Sequence, residues 1–193
     1  MKYFLSVSAT SFTFSFTLWI IWSYFLMQAN LIPSWDGSLI YLPHAARVLC
    51  VVYFGYKSIP ALYLAEISGP LVFVSVIPDL QMLFLAMLSV LSVPFALFAL
   101  SIMGFSLGHT RQSPLNKRYY RHIALIVMVS AMFNALLVNL VLAEFDVNYF
   151  GKTADVIQVA RFFVGDILGA ATVIVVLAVT FRPLISRPKG NSD

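Results

Sequence analysis

Long apolar runs, separated by short polar stretches that hold proline, glycine or asparagine, set the rhythm of this chain. A helix that crosses a bilayer needs about 20 mostly apolar residues, and runs of that order predict spanning helices. Six are predicted, at about 12–27, 40–56, 60–77, 81–107, 123–142 and 156–181.

Local chemistry sets the boundaries. Pro33, Asp36 and Gly37 form the turn between the first two helices. Lys57-Ser58-Ile59-Pro60 makes a tight turn, and Pro60 suits the first turn of helix 3. Gly69-Pro70 is expected to kink that helix. The fourth run, about 27 residues, exceeds what a ~30 Å core requires, so tilt, a kink at Pro94 or a re-entrant break at Ser92-Val93-Pro94 is expected. The first run reads as a retained helix rather than a cleaved leader. Gln28-Ala29-Asn30 is a poor cleavage site, and Trp19, Trp22 and Tyr24 suit a helix nearing an interface.

Sorting the charged residues by side tests the count. Lys2, Lys57, Arg111, Lys117, Arg118, Arg121, Arg182, Arg187 and Lys189 fall on one side. On the other only Lys152 is basic, among Asp36, Asp79, Glu144, Asp146 and Asp155. Cytoplasmic loops carry the Lys/Arg excess, so both termini are expected in the cytoplasm.

Composition agrees. Of 193 residues, 61% are hydrophobic and 10% charged, against about 25% charged in a soluble domain. The expectation is one all-α domain over 1–193, a polytopic transmembrane helix bundle. The net charge of +4 would suit nucleic acid, but the basic residues flank membrane helices. They point to the lipid bilayer as partner and to no nucleic acid. Cys50 is alone, and the three histidines fall on opposite sides, so no metal and no cofactor is expected. No nucleophile, phosphate-binding or zinc-protease motif stands out, and no enzyme activity is expected.

Four ionisable groups fall within the spans: Arg47, Glu66, Arg161 and Asp166. A charge centred in lipid costs at least ~2.5–3.5 kcal/mol, so each should face protein or water. Counting depth along the helices pairs Arg47 with Asp166, with Glu66 as a second partner from below. Arg161 sits higher and is expected to snorkel outward. His44 and Arg47 share a helix face next to Pro43. Together these five residues form either a pocket for a small polar or anionic ligand, or an ion-pair set that only fixes packing. Asn134 and Asn139 are expected to hydrogen-bond between helices. Gly165, Gly169, Ala170 and Ala171 offer a small face for close helix contact. The loop from His109 to His122 carries Arg111, Lys117, Arg118 and Arg121 with Tyr119 and Tyr120. It serves topology and lipid anchoring, or docks a cytoplasmic partner.

Leu42-Pro-His-Ala-Ala-Arg-Val-Leu, Gly55-Tyr-Lys-Ser-Ile-Pro60, Ala65-Glu66 and Gly165-Asp166-Ile-Leu-Gly169 follow one another in order. This order resembles MASE1-type integral membrane sensory domains, over about a quarter of the chain. The resemblance implies a bacterial inner-membrane sensing module. Its members usually precede a cytoplasmic signalling domain. No output enzyme follows in this sequence, so a signal would pass to a separate protein. His44 and Arg47 replace small apolar residues expected there, which implies a changed ligand. Three functions are carried forward: a sensory or ligand-binding module, a transporter or its substrate-binding subunit, and a structural component of a membrane complex.

Overall fold

The computed structural model describes residues 2–27, 39–73, 79–105, 120–144 and 156–185. Among these, all regular structure is helical. The helices are α1 (Lys2–Ile21), α2 (Pro43–Phe54), α3 (Ile59–Phe73), α4 (Leu80–Ile102), α5 (Tyr120–Glu144) and α6 (Val156–Ile185). A π-helical turn, Trp22–Met27, continues α1, and a 3-10 turn, Gly55–Ser58, joins α2 to α3.

Five stretches are long and apolar enough to cross a membrane: Lys2–Leu26, Pro43–Phe73, Leu80–Ile102, Arg121–Ala143 and Val156–Thr180. The outward faces of α4 and α5 are largely apolar. On α5, Met128, Met132, Leu136 and Leu140 are exposed, while Ile123, Ile126, Val127, Ser130, Asn134, Val138 and Leu142 face inward at helical spacing. Such outward faces suit contact with lipid.

The stretch Pro43–Phe73 is not one straight rod. Gly55 closes α2 at φ 68°, a left-handed conformation that suits glycine. Beyond it the chain doubles back, because Arg47 and Glu66 touch at 2.6 Å. On a continuous helix they would lie about 28 Å apart.

Packing forms an open ring. α1 packs on α3, α3 on α4, α4 on α5, α5 on α6, and α2 fills the middle, touching all five. α2 has 12 residues, and Pro43, His44, Ala45, Ala46, Arg47, Val48, Cys50, Val51 and Val52 are buried. Ala45 and Ala46 let neighbours come close. Pro43 stands in the first turn of α2, where its missing N–H costs no helical bond. Asp79 caps α4 by accepting from the Met82 N–H at 2.8 Å. The α-helix runs on through Pro70 in α3 and Pro94 in α4.

Several boundaries differ from the sequence expectation. α1 begins ten residues earlier, at Lys2 rather than about Phe12. Serine and threonine lower the hydropathy there but break no helix, and Ser11 and Ser15 turn inward against the neighbours. Trp19 and Trp22 are buried within the bundle rather than at an interface, while Tyr24 is exposed.

Candidate functional site

The site grows from α2. Just before it, the Tyr41 N–H donates to the Gly165 carbonyl at 2.9 Å. Gly165 is nine residues past the start of α6, about 14 Å along it. Gly169 allows this approach, because a Cβ there would overlap the Tyr41 backbone. α2 therefore starts deep beside α6, and its side chains point into the ring.

Arg47, one turn into α2, meets α3. Its Nη2 donates to Glu66 Oε1 at 2.6 Å and to the Tyr41 hydroxyl at 3.0 Å. Tyr41 donates in turn to Glu66 Oε1 at 2.8 Å, and Trp19 Nε1 donates to Glu66 Oε2 at 3.4 Å. Glu66 thus has three donors, from α1, α2 and the segment just before α2. The Tyr41 ring also lies beneath the guanidinium, 5.2 Å from its centre. Trp19, Trp22 and Tyr41 meet edge to face at 5.1–5.9 Å and wall this half of the site. Gly69 leaves room for the Trp19 ring, which a Cβ would strike.

His44 meets α5 and α6. Its Nε2 lies 3.1 Å from Ser130 Oγ, and its Nδ1 lies 3.5 Å from Asp166 Oδ2. The latter is an ion-pair distance, too poorly aligned to count as a hydrogen bond. Asn134 Nδ2 donates to Asp166 Oδ2 at 2.6 Å, and Asn134 Oδ1 accepts from Ser89 Oγ at 2.7 Å. One continuous polar stitch thus joins α4, α5, α6 and α2.

Exposure is 0% for His44, 1% for Arg47 and Asp166, and 8% for Glu66, so this polar cluster lies inside the protein. It is not fully satisfied. Arg47 Nε and Nη1 and His44 Nδ1 have no hydrogen-bond partner among the described residues. An unpaired buried donor costs roughly 1–3 kcal/mol, more on a charged group. The free guanidinium edge is chemically fitted to an acceptor such as a carboxylate, a phosphate oxygen or water.

The structure brings together His44, Arg47, Glu66 and Asp166, and adds Trp19, Tyr41, Ser89, Ser130 and Asn134. It pairs Arg47 with Glu66 rather than Asp166. The reason is the deep start of α2, which carries Arg47 past the level of Asp166 toward α3. Arg161 stands apart, exposed on α6. Asn134 bonds between helices as expected, whereas Asn139 donates to Ala135 O on its own helix. Ala170 is buried and Ala171 is exposed. Arg111, Lys117, Arg118 and Tyr119 lie outside the described residues; Tyr120 opens α5 and Arg121 is exposed. Trp19 and Tyr41 escaped the sequence reading because aromatic residues near span ends look like interface anchors. Ser89 and Ser130 look like small packing residues.

Comparison with protein-family models, with curated proteins and with solved structures finds no match.

Proposed function

We propose that this chain is a multi-pass protein of a bacterial cytoplasmic membrane. It acts as a non-enzymatic sensory or ligand-binding module of MASE1-like type, and it hands its signal to a separate cytoplasmic protein. The ligand is a small polar or anionic molecule, held between α2, α3 and α6. One observation carries this reading: Arg47 is buried with Nε and Nη1 unpartnered among the described residues, beside a carboxylate that has three donors of its own. An anionic ligand would satisfy those donors with charge-assisted hydrogen bonds.

The topology belonging to this reading has six crossings and both termini in the cytoplasm. The fold-back between Arg47 and Glu66 supports an even number of crossings there. Lys57 stacks on the Tyr3 ring at 5.0 Å, so the α2–α3 turn shares an end with the start of α1. Both belong to the basic-rich side of the charge sort.

A second reading, a transporter or its substrate-binding subunit, is favoured by the start of α2 beside Gly165. Interrupted helices whose ends meet polar groups inside the bundle are typical of transporters.

The test is thermal unfolding of the purified protein with a panel of small carboxylates, inorganic phosphate and phosphorylated metabolites. One chemical class raises the midpoint of the wild type and leaves Arg47→Ala unmoved, while Arg47→Lys responds weakly. No shift in the wild type, or equal shifts in all three proteins, overturns the reading.

A further inference from the structure

Hydrogen-bond accounting around His44 leads to a site that Arg47's ligand does not explain. Ser130 Oγ donates its one proton to the Val127 carbonyl at 3.1 Å. Its oxygen is then an acceptor, so His44 Nε2, 3.1 Å away, carries a hydrogen. Nδ1 on the other side of the ring faces Asp166 Oδ2 at 3.5 Å. Asn134 cannot relieve that contact, since its amide already donates to Oδ2 and its carbonyl accepts from Ser89. An unprotonated imidazole nitrogen facing an unprotonated carboxylate oxygen in a buried site is two lone pairs in opposition. A proton between them turns repulsion into attraction.

Charge counting agrees. Arg47 and Glu66 cancel at 2.6 Å. The other polar side chains of the cluster are Tyr41 ahead of α2, Trp19 on α1, Ser89 on α4, and Ser130 and Asn134 on α5, all uncharged. That leaves Asp166 against His44. The cluster is neutral only when this pair holds one proton.

We propose that His44 and Asp166 form a proton-binding site, occupied in the packed bundle, whose emptying leaves one uncompensated negative charge among α2, α5 and α6. The site needs no ligand at Arg47 and stands apart from the sensory reading. A buried unpaired charge is strongly unfavourable. Proton release therefore loosens the packing of α2 against α6, and proton uptake tightens it.

Linkage fixes the sign. In the unfolded chain aspartate titrates near ~3.9 and histidine near ~6.5. Above about pH 7.5 the unfolded pair binds almost no proton while the folded pair binds one, so stability falls as pH rises. The folded-to-unfolded ratio drops up to about tenfold per pH unit until the folded pair releases its proton. Unfolding curves in detergent at about pH 7.5 to 9, above the unfolded histidine's range, test this. Wild type loses stability with rising pH; Asp166→Asn, neutral without the proton, is flat over that range. His44→Gln keeps the dependence, because a lone buried carboxyl still needs its proton. A flat wild-type profile overturns the site, as does an Asp166→Asn profile parallel to the wild type. Should Asp166→Asn fail to fold, wild type alone decides. Unfolding it with guanidinium chloride at about pH 7.5 in dilute indicator dye releases up to one proton per chain, and no release overturns the proposal.

Discussion

Replacing Gly169 with alanine would drive a Cβ into the backbone of Tyr41. Forced shifts of this kind in a packed interior cost typically ~1–3 kcal/mol. Gly169→Ala should therefore lower the unfolding midpoint and weaken whatever the interior cluster binds, because the segment that seats Tyr41 is pushed away. Gly104→Ala, with open space around it and φ +84°, should cost only backbone strain. Midpoints of the two variants under one condition check the difference. At this scale the sequence carried much of the site. A charge inside an apolar run is conspicuous, and His44, Arg47, Glu66 and Asp166 all lie within the cluster. The partner of Arg47 was not legible. Depth counted along α2 presumes that the helix starts at the membrane surface, whereas Tyr41 bonds to Gly165, well down α6. Only a tertiary contact reveals that offset.

α2 is the short element at the centre, and Gly55 sets the direction in which the chain leaves it. If Pro43–Phe73 crossed once, Lys57 would sit near the middle of the membrane. With the chain doubled back at Gly55, Lys57 lies at an end of the bundle. Single cysteines at Lys57 and Asp79, in a Cys50→Ala background, separate the two. Impermeant thiol reagents should label Lys57→Cys only from the cytoplasmic side and Asp79→Cys only from the other. Protection of Lys57→Cys from both sides would contradict the doubled-back hairpin. The turn was legible beforehand, because Gly-x-Lys-Ser-Ile-Pro combines a helix stop with a helix start. The start of α1 at Lys2 was not, because hydropathy registers serine as polar whether it faces water or a neighbouring helix.

Among the described residues, five helices form an open ring around a short sixth, and polar side chains from each of them converge between them. That the chain folds into long apolar helices is written in the sequence; their arrangement is not. Each helix is apolar on nearly all sides, so little in the pattern says which face meets protein and which meets lipid. The Arg47–Glu66 pair is where this arrangement is most exposed to test, since it joins the central helix to the ring. The decisive measurement is a double-mutant cycle of Arg47→Met and Glu66→Met, read by reversible unfolding in mixed micelles. Each single change strands one buried charge and should cost about 3–5 kcal/mol. The double change removes both charges, and its cost should fall well below the sum of the two. Strictly additive costs would contradict a buried pair at the heart of the bundle.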